Sequence, residues 1–216
     1  GLSHMHISVH SAKEEVQGEL TGNKKSLPNI LRALENAGRM GVRVDINTVI
    51  NSRNAGHLSY TPRFLVERFP FLGHFVWNNL DPLMNAASLN PELVPKLRSF
   101  EVELHRAMLW LTAAGKSFRV ERVPLCFMSD FGHFSTETRK FIKDEGRDIY
   151  FLDEKGRRRQ DKSSWSYGKA ARCGECSVEK ICAGLYQMDV YYSSSELCPI
   201  LTPPQAVIAK VREAAS

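Results

Sequence analysis

The order of apolar and polar residues in the first part of the chain predicts strands that alternate with helices. From Leu2 to Val9, apolar residues alternate with histidines and a serine, which is the two-residue period of a strand. Apolar runs predict three further strands, over residues 42–50, 74–80 and 118–124. The helical spacing of apolar residues predicts helices over 26–37, 61–69 and 91–114, with Ser26 as the cap of the first.

This alternation is typical of an α/β fold whose parallel strands are joined by right-handed helical crossovers. Four such strands are about half of an eight-stranded barrel, so we predict a partial parallel (β/α) barrel, truncated at its N-terminal side. After residue 124 the alternation ends, and the pattern predicts a helix over 136–143, a strand over 149–152 and a turn over 154–157. We therefore divide the chain into a partial barrel, residues 1–124, and a small cysteine-rich C-terminal extension, residues 125–216.

Composition fits a globular protein in a reducing compartment. The chain has 216 residues, of which 43% are hydrophobic and 25% are charged. No apolar run approaches the ~20 residues of a membrane span and no signal peptide is visible, so we expect no membrane association. The five cysteines are odd in number and clustered, which argues against a secreted disulfide scaffold and favours a cytoplasmic location.

The net charge of +5 is concentrated in two basic stretches, residues 155–162 and 169–172, just before the cysteine cluster. Three interpretations stay open: a solvated hairpin, cations that offset the negative charge of an iron–sulfur cluster, and a nucleic-acid patch. Aromatic residues near these stretches are limited to Trp165 and Tyr167, so nucleic acid is not an expected partner.

The most specific motif is Cys173-x2-Cys176-x5-Cys182, which places three thiols within ten residues. Thiols this close do not form a sensible disulfide framework, but they can converge on one metal ion or one iron–sulfur cluster. Cys126, in a Pro-Leu-Cys segment, is the predicted fourth ligand. The same set also suits a tetrahedral zinc site, so the spacing leaves zinc open as an alternative.

Polar residues gather where the predicted strands end. They are Ser8, Asn47, Thr48, Asn51, Asn54 and Asn78. Because ligands bind at the carboxyl ends of parallel strands, these residues can meet around one mouth. Their hydroxyl and amide groups suit a ribose and an amino-acid headgroup.

Three of these segments resemble consecutive strands of radical S-adenosylmethionine (radical SAM) enzymes. Residues 7–11 resemble the fourth-strand region, residues 44–51 followed by Asn54 resemble the fifth strand, and residues 74–78 resemble the sixth. The resemblance implies that Ser8 and Asn47 contact the carboxylate or ribose of SAM. It also implies that three further residues line the same pocket, namely Thr48, Asn51 and Asn54.

The cysteine-rich part resembles the extra-cluster extension of the radical SAM branch that matures peptides and cofactors. The similarity lies in Val123-Pro-Leu-Cys126, the cysteine trio and Ala183-Gly184. It implies an auxiliary [4Fe-4S] cluster with four cysteine ligands, namely Cys126, Cys173, Cys176 and Cys182. Cys198 is expected to be a buried or spare thiol.

The C-x3-C-x2-C motif that defines the family, and that holds the cluster which cleaves SAM, is absent from this sequence. We therefore expect the C-terminal part of a radical SAM oxidoreductase, or one half of a split enzyme, which does not cleave SAM by itself. The complete protein would bind SAM with a second [4Fe-4S] cluster. The expected partners are a missing N-terminal half, an electron donor such as a flavodoxin or ferredoxin, and a peptide or small-molecule substrate.

Two other function classes stay open. The chain can be a non-catalytic or zinc-binding remnant of such an enzyme. His4 and His6 share one face of the first predicted strand, and a His-x-His pair at a barrel strand is typical of metal-dependent hydrolases. The other histidines do not fall convincingly at later strand ends, so the radical SAM interpretation is preferred.

Overall fold

The first part of the chain is built on one parallel sheet. In the computed structural model, β1 (His4–Ser8), β2 (Arg43–Ile50), β3 (His74–Asn79) and β4 (Ser117–Glu121) lie side by side in that order. Each neighbouring pair of strands is parallel. The predicted parallel α/β fold is confirmed, whereas the closure of this sheet into part of a barrel stays a prediction.

The structure describes residues 1–83, 85–144, 147–150, 157–160 and 166–214. It divides the chain into two compact units, Gly1–Glu121 and Arg122–Ser216, and each unit is described here by itself.

Helices connect the parallel strands of the first unit, because the chain must return to the start of each next strand. α1 (Glu14–Thr21) and α2 (Ser26–Arg39) lie between β1 and β2. α3 (Tyr60–Arg68) follows β2, and α4 (Leu97–Ala113) leads into β4.

The sheet of the first unit has one apolar and one polar face. Trp77 and Phe118 are buried on the apolar face, with ring centroids 5.8 Å apart in an edge-on contact. α2 contacts β2 and α4 contacts β4, and these helices bury Leu34 and Leu104 completely. Each such side chain contributes about 1.5–3 kcal/mol through the hydrophobic effect. The other face of the sheet carries histidine, asparagine and charged side chains, most of them partly exposed.

Three details of the helices differ from the sequence-based prediction. α1 was not predicted. Ser26 is the first residue of α2 and not its cap, and its Oγ accepts a hydrogen bond from Gln17 Nε2 at 3.2 Å. The predicted helix over 91–114 begins only at Leu97, because Pro95 favours an extended conformation at Val94, where ψ is 116°.

Within its described residues, the second unit contains two α-helices and two antiparallel strand pairs. α5 (Thr136–Lys143) covers the residues that the sequence predicts, and α6 (Gln205–Glu213) packs against it. The strand pairs are β5 (Arg147–Tyr150) with β6 (Arg157–Gln160), and β7 (Tyr167–Gly168) with β8 (Leu185–Tyr186). The end of the predicted strand and most of the predicted turn, over residues 151–156, lie outside the described residues.

A buried carboxylate fixes the position of β7. Glu137 Oε1 accepts hydrogen bonds from the Arg122 N–H at 3.0 Å and from the Tyr167 hydroxyl at 3.1 Å. The rings of Tyr167 and Tyr186 lie 5.3 Å apart across the β7–β8 pair. This pair brackets the loop that contains the cysteine trio, so Glu137 anchors the base of that loop.

Within the part of the chain that the structure describes, no helix has the length and apolar character needed to cross a membrane.

Candidate functional site

The cysteine trio lies in the loop between β7 and β8. A 3-10 turn, Ala171–Glu175, contains Cys173, and the Cys176 N–H donates a hydrogen bond to the Cys173 carbonyl at 3.1 Å. A second 3-10 turn, Glu179–Ile181, leads directly into Cys182. Each spacing of the motif is therefore spanned by a tight turn, which keeps the three cysteines near one another along the loop.

All five cysteines line one cavity of the second unit. They are Cys126, Cys173, Cys176, Cys182 and Cys198, and each is a free thiol. The remaining wall is partly apolar, from Leu125, Val178 and Leu197, and partly charged, from Lys169 and Glu179. The cavity thus contains the four cysteines that the sequence names as ligands, including the distant Cys126.

Several backbone N–H groups point at the sulfur atoms. The Ile200 N–H donates to Cys176 Sγ at 3.3 Å, and the Gly184 N–H donates to Cys182 Sγ at 3.4 Å. A backbone hydrogen bond from Cys198 reaches the Cys126 thiol. Such donors stabilise the negative charge of a thiolate ligand.

Burial raises the pKa of the Cys126 thiol to about 12; the backbone hydrogen bond from Cys198 acts to lower it, whereas the side chains of Cys198 and Cys182 raise it further. Burial also raises the pKa of Cys182, while the Lys169 ammonium acts to lower it. Both thiols are therefore protonated at neutral pH when no metal is bound. A metal ion or cluster that binds here must displace these protons, because thiolates are the ligands.

Cys198 is closer to the site than the sequence suggested. It lines the same cavity and forms hydrogen bonds with Cys126. The Ser177 N–H donates to the Ile200 carbonyl at 2.7 Å, and this contact brings the segment after Cys198 back to the cysteine loop. The sequence contains no motif for this contact, because it depends on tertiary structure alone.

Among the described residues, three metal-binding side chains have ligand atoms within 4.8 Å of one another, and they are His4, His6 and Asp45. No three cysteine sulfurs of the described residues meet this criterion. A zinc ion with Zn–S bonds of about 2.3 Å holds its sulfurs roughly 3.8 Å apart.

In the first unit, two of the predicted SAM-contacting residues share the polar face of the sheet. Ser8 is exposed at the end of β1 and lies opposite Asn47 of β2. Asn78 of β3 donates from Nδ2 to Asn47 Oδ1 at 2.6 Å. These three side chains present hydroxyl and amide groups on one continuous surface.

The other three predicted pocket residues are buried and bonded to the backbone. Thr48 Oγ1 donates to the Val9 carbonyl at 2.6 Å. Asn54 Nδ2 donates to the His10 carbonyl and to the Val49 carbonyl, both at 2.8 Å. Asn51 Oδ1 accepts from the N–H groups of Arg53 and Asn54, at 2.9 and 3.3 Å. Thr48 and Asn54 therefore hold the ends of β1 and β2 together, and Asn51 stabilises the turn that follows β2.

A neutral histidine takes part in the same arrangement. His10 Nδ1 accepts a hydrogen bond from the Val49 N–H at 3.2 Å, so this nitrogen carries no proton. Burial lowers the pKa of His10 from its ordinary value of 6.5. Burial also lowers the pKa values of His57 and His74.

These lowered pKa values predict a loss of stability in mild acid. The unfolded chain binds protons at these histidines more readily than the native state does. The free energy of unfolding therefore has its full value above about pH 6.5 and decreases as the pH drops below that value. Denaturant unfolding at pH 7.5 and pH 5.5 measures this change. Since Asn offers an amide oxygen as acceptor, His10→Asn is expected to show a smaller difference between the two pH values than the wild type. An equal or larger difference would contradict the assignment.

Comparison with protein-family models, curated proteins and solved structures finds no match to this chain. The resemblance to radical SAM enzymes therefore depends on the residues and motifs described above.

Proposed function

We propose that the second unit binds one [4Fe-4S] cluster through Cys126, Cys173, Cys176 and Cys182. The observation that carries this proposal is that these four cysteines, one of them distant in sequence, line a single cavity. Four thiolates are the usual ligand set of such a cluster.

A single zinc ion is the alternative occupant of this cavity. In a [4Fe-4S] cluster each thiolate binds a different iron at a separate corner, whereas a zinc ion binds all four thiolates itself. Iron, sulfide and zinc content therefore distinguish the two.

The surroundings of the cavity also suit an anionic cluster. Lys169 lines the cavity, and its ammonium group favours negative charge on Cys182. Arg172 is fixed nearby by a hydrogen bond from Nη1 to the Leu197 carbonyl at 3.0 Å. An oxidised cluster with four thiolates carries a net charge of about −2, which cations and N–H donors offset.

For the whole protein we propose radical SAM chemistry, with this chain as its C-terminal part. In this proposal the polar face with Ser8, Asn47 and Asn78 contributes to the SAM pocket, because its hydroxyl and amide groups suit a ribose and a carboxylate. The C-x3-C-x2-C motif would come from a further N-terminal segment or partner chain. An electron donor and a peptide or small-molecule substrate complete the expected set of partners.

Anaerobic reconstitution with iron and sulfide tests the cluster. We expect about four irons and four sulfides per chain, with a broad absorption in the blue part of the visible spectrum. A colourless protein that retains one zinc ion with sulfur ligands would replace the cluster by a structural zinc site.

The reading frame on the 5′ side of the Gly1 codon tests the wider assignment. We expect an in-frame C-x3-C-x2-C motif there, or in an adjacent gene whose product co-purifies with this chain. If neither the reading frame nor an adjacent gene encodes this motif, the chain would be a cluster-binding protein that lacks the means to cleave SAM.

A further inference from the structure

Two histidines and an aspartate gather at the start of the parallel sheet. His4 Nε2 lies 2.9 Å from Asp45 Oδ2, and His6 Nε2 lies 4.0 Å from the same oxygen. The imidazole rings of His4 and His6 have centroids 4.9 Å apart. The three ligand atoms therefore lie within 4.8 Å of one another, in a unit that contains none of the cysteines.

The strand pairing determines this arrangement. His4 and His6 are two positions apart on β1, so their side chains project from the same face of the sheet. Asp45 of β2 lies directly opposite His6 in the parallel register. Residues opposite each other on neighbouring strands are close enough for their side chains to interact, so the fold itself places the three groups together.

The three side chains differ in their exposure to solvent. The Asp45 side chain is only 5% exposed, whereas those of His4 and His6 are 38% and 62% exposed. A largely buried carboxylate needs a positive or hydrogen-bonding partner. Arg43 Nε lies 3.3 Å from Asp45 Oδ1, which fixes that oxygen and leaves Oδ2 directed toward the histidines. Solvent can reach the site from the histidine side.

We propose that His4, His6 and Asp45 bind one divalent transition-metal cation, such as Zn²⁺, independently of the cysteine site. Two neutral imidazoles and one carboxylate form a ligand set typical of zinc sites with an open position, which water fills. Arg43 supports the carboxylate through its other oxygen, as an outer partner of a ligand does. The ion would link the outermost strand, β1, to its neighbour β2.

Zinc titration tests this site. The wild-type chain, freed of any purification tag, is compared with the double variant His4→Ala/His6→Ala. The wild type is expected to bind one more zinc than the double variant. The affinity of this additional site is expected to fall at least about 100-fold in the variant. Equal zinc stoichiometry and affinity in the two proteins would overturn the proposal.

X-ray absorption at the zinc edge separates this site from the cysteines. The zinc that the double variant fails to bind should have nitrogen and oxygen ligands at about 2.0–2.1 Å, whereas cysteine-bound zinc has sulfur at about 2.3 Å. If the additional zinc shows sulfur ligands only, the histidine site is excluded. The cluster proposal is measured by iron and sulfide content, so either proposal can fail without the other.

Asp45→Asn and Asp81→Asn form a matched pair that removes one carboxylate each. Asp81 accepts a hydrogen bond from the Leu83 N–H in a loop, and an asparagine can keep that bond. Asp45→Asn is expected to weaken zinc binding at least about tenfold, and Asp81→Asn to leave it unchanged. Circular dichroism of both variants shows whether the sheet is intact. Equal zinc affinity in the two folded variants would overturn the role of Asp45.

Discussion

Serine in place of Cys176 or Cys182 is expected to reduce the iron content of the reconstituted protein roughly tenfold or more. A serine hydroxyl at neutral pH is a much weaker ligand for iron than a thiolate. Each replacement also removes a sulfur that accepts a backbone N–H, from Ile200 or from Gly184. Iron and sulfide per chain, together with the visible absorption, measure the loss.

The identity of the fourth ligand is tested by Cys126→Ser and Cys198→Ser, a pair of matched variants. We expect Cys126→Ser to lose the cluster, because this residue is only partly exposed and its thiol interacts electrostatically with Cys182 of the trio. We expect Cys198→Ser, at an exposed residue, to keep most of its iron. The reverse result would assign the fourth position to Cys198, and full iron in Cys176→Ser would reject the cluster itself.

The fold of the first unit could be predicted because its signals are local. The first strand shows the two-residue period, the other three are apolar runs, and apolar side chains of these strands, such as Trp77 and Phe118, are buried. The limits of the helices were less accurate where a single residue decided them, as Pro95 does before α4. Whether the sheet closes into part of a barrel stays a prediction, because strand pairing beyond these four strands is not a local signal.

The candidate sites were predictable only in part, for a related reason. The turns that carry the cysteine trio are encoded within ten residues, but the position of Cys198 depends on the tertiary contact between Ser177 and Ile200. Similarly, the sequence marks Thr48 and Asn51 as polar residues near strand ends. It does not reveal that the backbone already occupies their hydrogen-bonding groups. Residue type predicts chemistry, whereas hydrogen-bond partners decide which groups stay available.

Gly184→Ala is expected to destabilise the second unit by about 2–4 kcal/mol. Gly184 has φ of +97°, a conformation that residues with a side chain rarely adopt. A methyl group there would also overlap the Gly168 carbonyl oxygen of β7, so the backbone itself would have to move. The Gly184 N–H donates to Cys182 Sγ, and this displacement would also disturb a proposed cluster ligand. Denaturant unfolding and iron content after reconstitution measure the two effects.

Gly174→Ala is the matched control, because this glycine lies within the same loop, between Cys173 and Cys176. A methyl group at Gly174 meets no atom within 4 Å, and its φ is not positive. We expect a change in the free energy of unfolding within about 0.5 kcal/mol and unchanged iron content. Similar stability and iron content in the two variants would show that the path of the chain at Gly184 is not the constraint that holds Cys182 in the cavity. If only Gly184→Ala loses stability and iron, the close approach of the two ends of the cysteine loop is required to position its cysteines.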